Sequence, residues 1–326
     1  MSENIKHKTS IGGQALIEGI MMRGPKGNAM AVRLPDGTIE TELEEYHPLK
    51  EKYKFLGLPL IRGIVGFGES MAYGYKYLMK SADKTMTEEE KEEDLSALDR
   101  WINDHFGEKM MAVVGVISAV LGVGLAFVIF MYLPTLGVDL FDKYIVTGAD
   151  LAKFHPMLEG VLRIIIFILY MFFVSKMKMI KRVFMYHGAE HKTIFCYEHG
   201  LPLTVENVMK MSRFHPRCGT SFMFVMIILS VFISSVLVLV FPGLAQINRV
   251  LWMLIKLAVI PIVMGLGYEF IKYAGKHDNA LVKVLSAPGL WMQRITTVEP
   301  TPDIAEVAIE SIKAVITDNP EDDEIK

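Results

Sequence analysis

The sequence predicts a mainly α-helical, polytopic membrane protein with about four transmembrane helices plus a small cytosolic portion that contains β-strands. Four apolar runs reach the length of about 20 residues that a bilayer span requires; they cover approximately 110–133, 157–179, 221–241 and 250–271. The mean hydropathy is positive, and the 326 residues include 22 methionines and 18 phenylalanines. This composition is typical of a membrane protein and not of an ordinary soluble domain.

The pattern along the chain divides it into five segments. They are a cytosolic N-terminal segment with a β-hairpin (1–54), a glycine-rich membrane-associated segment (55–82), a charged helical linker (83–108), a four-helix transmembrane region (109–278) that includes a cytosolic His/Cys-rich stretch (180–220), and a cytosolic C-terminal segment (279–326). The hairpin is predicted at Asp36-Gly37, between AMAVRL and TIETEL, because glycine accepts the positive φ of a tight turn. Glu18 and Arg23 flank an apolar run there, either as a pair or as separate surface charges.

The segment 55–82 is apolar but interrupted by glycines and charges, which favours a helix on or near the membrane surface. Its tyrosines 73, 75 and 77 then lie near the lipid headgroups. Arg62 and Glu69 are seven residues apart and form an ion pair on one helix face in this interpretation. The pattern leaves open whether the segment crosses, enters or lies on the bilayer.

The C-terminal segment has no span. Leu290, Trp291 and Met292 follow Pro288-Gly289 and indicate an interfacial or docking turn. Thr301-Pro302 opens an amphipathic helix, since proline suits the first helical position. One stripe of this helix is apolar at helical spacing: Ile304, Val307, Ala308, Ile312 and Val315. An acidic tail follows.

The distribution of Lys and Arg predicts the orientation, because cytoplasmic loops carry an excess of these residues. The stretch between the second and third spans is rich in them, whereas the loop between the first two has only Lys143 and Lys153 among several acids. Both termini and the His/Cys-rich stretch are therefore expected on the cytoplasmic side of the membrane. A net charge of −3 argues against a nucleic-acid partner.

The chemistry is concentrated between His187 and Ser221, which holds four of the nine histidines and both cysteines. His187, Glu190 and His191 spell H-x-x-E-H. On a helix, residues i and i+4 lie on one face, so the two imidazoles can bind one metal ion. Glu190 lies beside them as a general base that accepts a proton from a water molecule activated by the metal.

Several residues can complete the ligand set. The third ligand is expected to be His215, Cys218 or Glu198, and this set suits a divalent metal ion such as zinc. Arg213 and Arg217 are available for an anionic substrate. His199, beside Gly200, is interpreted as a helix C-cap, and Cys196 as a small core residue. The competing interpretation is that the whole cluster is a structural polar network.

Three separated motifs resemble a known family. GGQALIEGIMMRGP near the N-terminus, HGAEHKTIFCYE with LTVENV and RFHPRCGTSF in the centre, and APGLWMQRITTVEPT near the C-terminus resemble the YqhQ-like bacterial membrane proteins, or domain of unknown function 1385. The resemblance implies a membrane protein that is sometimes labelled a metal-dependent enzyme. By resemblance, the residues of interest are Glu18, Arg23, His187, Glu190, His191, Glu198, His215, Arg217 and Cys218.

Two functions follow as hypotheses. The first is a metal-dependent hydrolase at the cytoplasmic membrane face, acting on a lipid or a membrane peptide. The second is a non-enzymatic lipid- or ion-handling protein, or an assembly factor, whose polar cluster lines a cavity. Both have the lipid bilayer as a partner, and both leave an oligomer open.

Overall fold

The computed structural model describes residues 6–85, 108–144, 154–277 and 279–325. It is mainly α-helical, with one small antiparallel sheet. The strands β1 (Gly12–Leu16), β2 (Gly19–Gly24), β3 (Gly27–Arg33) and β4 (Ile39–Glu44) pair in sequence order. The predicted hairpin is confirmed, since β3 and β4 pair antiparallel around Gly37, whose φ is 87°.

The helices are, in chain order, α1 (Leu49–Lys52), α2 (Ile61–Thr85), α3 (Glu108–Phe127), α4 (Leu133–Tyr144), α5 (His155–Val174), α6 (Lys178–Glu198), α7 (Val205–Lys210), α8 (Gly219–Val240), α9 (Arg249–Lys276), α10 (Ala280–Thr296) and α11 (Pro302–Val315). A π-helical turn, Val128–Tyr132, joins α3 to α4, and 3₁₀ turns cover Lys54–Gly57, Pro242–Gln246 and Pro320–Asp323. Most of the linker expected at 83–108 lies outside the described residues.

Both faces of the sheet are covered, which explains why β2 reads as a continuous apolar run. On one face, Ile20 and Met22 pack with α6 and with the apolar stripe of α11. All five stripe residues predicted for α11 are fully buried there. On the other face, Met21 and Met30 pack against Tyr77 of α2. Burying a side chain of this size contributes roughly 1.5–3 kcal/mol, so α11 and α2 fix the sheet from two sides.

Helix α2 corrects two expectations. Tyr77 is only 1% exposed because it packs on the sheet, so it does not lie at a headgroup position. Arg62 pairs with Glu269 of α9, its Nε 2.7 Å from Oε1, and not with Glu69. Glu69 instead accepts from the Leu49 backbone N–H. Sequence spacing on one helix could not show that a second helix supplies the partner.

Alternating glutamates of β4 hold α2 to the sheet. The side chains of every second strand residue share one face, and those of every fourth helix residue share another. Lys76 lies 2.6 Å from Glu44, and Lys84 lies 2.9 Å from Glu40, while Lys80 contacts Glu42 between them. Each such exposed pair contributes at most about 1 kcal/mol. The three Lys–Glu pairs therefore set the register of α2 against β4 more than they stabilise the fold.

Four helices in the described part of the chain are long and apolar enough to cross a membrane: Ile117–Tyr144, His155–Val174, Gly219–Val240 and Arg249–Lys276. They correspond to the four predicted runs. The first is longer than expected because α3, the π-turn and α4 are continuous.

Two basic residues inside these helices have buried partners. Lys256 lies 2.5 Å from Glu159 and 3.1 Å from the Thr135 hydroxyl. Arg163 donates from Nε to the Phe130 carbonyl at 2.8 Å. Phe130 belongs to the π-turn, where the hydrogen-bond ladder of the helix is interrupted, so its carbonyl is available to a side chain.

The chain forms two compact units. The first takes in the described parts of Met1–Thr85, Met171–Leu229 and Ile260–Lys326, and the second those of Met86–Tyr170 and Ser230–Val259. The sheet and the His/Cys-rich stretch belong to the first unit. The Lys256–Glu159 pair belongs to the second.

The turn predicted at Leu290, Trp291 and Met292 is wrong, because these residues and the preceding Pro288-Gly289 lie inside α10. Asn279 caps this helix, its side chain accepting from the Val282 N–H at 2.9 Å. Gly289 is required by packing, since a Cβ there would approach the Ser221 Cβ to 2.6 Å. The glycine therefore marks a close contact between α10 and the start of α8, and not a turn.

Candidate metal centre

Helix α6 carries His187, Glu190 and His191, and it continues to Glu198. It ends as expected, with His199 at the C-cap and Gly200 at φ 63°. Gly188 lets the chain after α10 approach closely, since a Cβ at this position would lie 2.1 Å from the Val298 carbonyl oxygen. This approach brings the end of α10 onto the histidine face of α6.

Three of the predicted ligands meet in one cluster. Ligand atoms of His187, His191 and Cys218 all lie within 4.8 Å of one another. The His187 Nε2 is 3.1 Å from the Cys218 Sγ, and the two imidazole centroids are 4.5 Å apart. Among the described residues, no other group of three such side chains has this geometry.

A hydrogen bond to a backbone carbonyl fixes the orientation of each imidazole. His187 Nδ1 lies 2.9 Å from the Thr296 carbonyl oxygen, and His191 Nδ1 lies 2.6 Å from that of Arg213. A carbonyl oxygen only accepts, so each Nδ1 carries the proton and each Nε2 is the nitrogen available to a ligand. Metal-binding histidines in proteins typically have this outer-shell hydrogen bond.

The donor set fits zinc. Two imidazole nitrogens and one thiolate are ligands that zinc accepts, and three protein ligands with an open position are characteristic of catalytic zinc. His191 is 2% exposed and Cys218 is 5% exposed, so a buried dication there is compensated by the thiolate charge. The chemistry of the three side chains therefore agrees with the expectation of a metal site.

The electrostatics favour a thiolate in this cluster. Burial opposes ionisation of Cys218, yet the positive charges and hydrogen bonds of His187 and His191 lower its pKa well below the usual value. Burial would lower the pKa of His187, but the charge of Cys218 raises it to about 9. The thiolate is the form that binds metals, and a metal ion bound at Nε2 would take the place of the imidazolium proton.

Glu190 lies against the cluster but is held from the other side. Its side chain is buried, and its Oε1 accepts a hydrogen bond from the Gly13 backbone N–H at 3.0 Å. Burial raises its pKa, an effect that the charges of His187 and His191 partly offset. A fixed carboxylate of raised pKa suits a general base better than an ordinary surface glutamate does.

The other two predicted ligands, His215 and Glu198, form a separate network with Arg217. The Arg217 guanidinium donates to Glu198, and the His215 Nε2 lies 3.6 Å from the Glu198 carboxylate. Burial lowers the pKa of His215 to about 4. Burial works against the Glu198 carboxylate, but His215 and Arg217 hold its pKa below the usual value. Glu198 is thus paired with an arginine and does not contribute to the three-ligand cluster.

The remaining predicted residues have structural partners. Arg213 donates to the Thr297 carbonyl, and Cys196 is a buried core residue as expected. Glu18 does not pair with Arg23. It accepts from Arg182 at 2.5 Å and from the Tyr186 hydroxyl at 3.1 Å.

The structure adds residues that sequence reasoning missed. Gly13 orients Glu190, and Thr296 orients His187. Gln293 clamps His215, accepting from its N–H at 2.8 Å and donating to its carbonyl at 2.7 Å. Each lies in one of the two outer motifs, which carried the family resemblance without an assigned role. Gly13 and Thr296 act through backbone groups that residue type does not reveal, whereas the polar side chain of Gln293 was an available signal.

Comparison with known proteins agrees with these motifs. The model of a family described as a protein of unknown function (DUF1385) matches residues 58–318. The chain belongs to this family. It is also similar to the uncharacterized protein YqhQ of Bacillus subtilis (strain 168), with 35% identity over 95% of this chain and 94% of that protein. No solved structure matches the chain. The family expectation is confirmed, and it brings no established activity.

Proposed function

We propose that this chain is a multi-pass protein of the bacterial cytoplasmic membrane with a metal-dependent hydrolase site at its cytoplasmic face. The observation that carries the proposal is the paired orientation of His187 and His191. Both Nδ1 atoms face backbone carbonyls, so both Nε2 atoms and the Cys218 thiolate are ready for one ion. Three such ligand atoms within 4.8 Å of one another are the arrangement that a single metal ion requires.

The membrane part of the proposal rests on four apolar helices and on the charge pattern. The helices fit a bilayer by length and composition. Lys and Arg are concentrated between the second and third helices, which favours a cytoplasmic position for the cluster and for both termini.

The roles of the residues follow from their contacts. His187, His191 and Cys218 would hold the metal ion. A bound zinc ion would supply a water of near-neutral pKa and would polarise a carbonyl or phosphoryl oxygen. Glu190 accepts the proton of the attacking water and passes it to the leaving group, and the Gly13 N–H keeps its carboxylate in place. Thr296 and Arg213 orient the two imidazoles through their carbonyls.

Glu190→Gln tests the assignment. Gln keeps the shape of the side chain but cannot take a proton, so we expect the metal content to be unchanged and turnover to fall by about 10²–10⁴-fold. Metal-loaded protein in vesicles of total bacterial lipid is assayed for released products by mass spectrometry. Glu206→Gln is the matched control, since Glu206 is an exposed glutamate of α7 that pairs with Lys210. Equal product release by wild type and Glu190→Gln would contradict the proposal.

A second function is favoured by the charged pair in the apolar helices. Ionisable residues inside spans usually mark ion or substrate pathways, and Lys256 with Glu159 is such a pair. Under this alternative the protein handles an ion or a lipid without turnover, and Glu190→Gln is tolerated in cells.

A further inference from the structure

A pocket of about 240 Å³ lies beside the residues that hold Glu190. Strand β1, strand β2 and helix α2 form its walls, and the lining residues include Ser10, Gly12, Gly13, Gln14, Arg23 and Ser70. Gly13 contributes its surface to the pocket and its N–H to the Glu190 carboxylate. The pocket and the proposed general base are therefore separated by one glycine backbone.

Arg23 gives this pocket its charge. Among the described residues that line it, Arg23 alone carries a charge. Its Nε donates to the Asn28 Oδ1 at 2.9 Å, and its guanidinium carbon lies 3.9 Å from the centre of the Tyr46 ring. These two contacts fix the plane of the guanidinium. No carboxylate in the described part of the chain pairs with it, so its two Nη groups are available to a ligand.

The residue opposite Arg23 on β1 is a glycine, which leaves the guanidinium uncovered on that side. Gly12 is its partner in the register of β1 and β2, and a Cβ on Gly12 would meet nothing within 4 Å. A stacked arginine with free Nη groups, in a pocket that Ser10 and Ser70 also line, matches the oxygen geometry of a phosphate group.

An exposed apolar stripe runs beside the pocket on α2. Met71, Tyr75 and Met79 recur at helical spacing and are 60%, 65% and 45% exposed. Ser70, which lines the pocket, precedes the first of them. An exposed apolar helix face of this kind is suited to the acyl chains of a membrane, so it favours a lipid as the carrier of the phosphate.

We propose that the Arg23 pocket binds the phosphate group of the substrate, and that this places the bond to be hydrolysed near Glu190. The inference rests on the proposed hydrolase function for its chemistry, but the binding itself does not require turnover. Arg23 acts as a specificity residue in this account, and Gly12 provides the space that the phosphate occupies.

Binding to the full-length protein in detergent tests the proposal by isothermal titration. The probes are inorganic phosphate, dioctanoyl phosphatidic acid and dioctanoylglycerol, the last as a neutral control. We expect Arg23→Gln to weaken phosphate-probe binding by about tenfold to hundredfold, the effect of losing a charge-assisted hydrogen bond. Gly12→Val fills the pocket from a position with open space, and we expect a similar loss. Gly68→Val is the control, since a Cβ there also meets nothing within 4 Å and Gly68 does not line the pocket.

The outcomes distinguish a lipid from a soluble molecule as the carrier of the phosphate, and they distinguish failure of the pocket proposal from failure of the hydrolase proposal. Tighter binding of phosphatidic acid than of inorganic phosphate identifies a lipid headgroup, and the reverse identifies a soluble phosphate. The proposal is overturned if wild type binds neither, if both pocket variants bind as wild type does, or if dioctanoylglycerol binds as tightly as its phosphate. Metal content is measured on the same samples. If the protein binds metal but phosphate binding does not depend on Arg23, the pocket proposal is rejected and the hydrolase proposal stands. If phosphate binding depends on Arg23 but the protein holds no metal, the hydrolase proposal is rejected and the pocket proposal stands.

Discussion

Two histidine clusters lie next to each other along α6, and they differ in what their partners leave free. The His191 and His215 rings are 5.6 Å apart. In the first cluster, backbone carbonyls accept hydrogen bonds from both Nδ1 atoms, and both Nε2 atoms face the Cys218 Sγ. In the second, Arg217 and Glu198 neutralise each other around His215. Residue type alone does not make a metal site, because the hydrogen-bond partners of each imidazole decide which ring nitrogen is available to a metal ion.

The difference predicts opposite responses to substitution. The second cluster is held by charges that compensate each other, so it should respond mainly in stability. The first cluster brings together three donor atoms that one metal ion can bind in place of the imidazolium proton, so it should respond mainly in metal binding.

The largest expected effect is on stability, from Arg217→Met. Glu198 is 1% exposed, and removing the partner of a buried charge costs about 3–5 kcal/mol. The free energy of unfolding in detergent, from denaturant titration, measures the loss. Lys210→Met is the control, because it removes a pair exposed to solvent, and we expect a change of about 0–1 kcal/mol. Equal effects of the two variants would show that the Glu198 network is not buried as described.

Removing zinc is expected to have the next largest effect. A ligand that binds only the folded protein stabilises it by about 2.7 kcal/mol at a free concentration 100 times its Kd. We expect this increment in the wild type, its loss on chelation, and its absence in Cys218→Ser. Cys196→Ser tests the other buried cysteine, and it should retain the zinc-dependent increment. An increment that survives in Cys218→Ser would remove the thiolate from the ligand set.

Acid should weaken the second cluster by a smaller amount. His215 has a pKa of about 4 in the fold and about 6.5 when unfolded. Below pH 6.5 the unfolded chain therefore binds a proton that the folded chain refuses. Stability falls as the pH drops toward 4, by about 2 kcal/mol between about pH 7 and pH 5. The lowered pKa of Glu198 adds a loss in the same direction at lower pH.

Denaturant titrations across this pH range measure the slope. We expect His215→Gln to flatten it, since Gln has no proton to gain. A wild-type curve that is flat from pH 7 to pH 5, or a slope that His215→Gln leaves unchanged, would contradict the assignment.

Local patterns predicted much of the fold correctly. The α11 stripe, the Asp36-Gly37 hairpin and the four apolar runs each depend on near neighbours in sequence, and each is present. Three predictions were wrong: the headgroup position of Tyr77, the ion-pair partner of Arg62 and the turn after Pro288. Each of these depends on an element that is distant in sequence. The sheet covers Tyr77, Glu269 pairs with Arg62, and Ser221 approaches Gly289.

The same limit applies to the site. The i and i+4 spacing placed His187 and His191 together, and it placed Glu190 beside them. It could not choose among Cys218, His215 and Glu198, because Gln293, 78 residues beyond His215, fixes that backbone. Nor could it identify Gly13, 177 residues before Glu190.

The most direct test of the metal centre is the metal content of the purified full-length protein, measured by mass spectrometry. Wild type is compared with the His187→Ala/His191→Ala double variant and with His199→Ala, a control at the C-cap of α6. We predict about one zinc or similar ion per chain, retained in His199→Ala and lost in the double variant. No bound metal in the wild type even after zinc is added, or equal metal in all three proteins, would contradict the account.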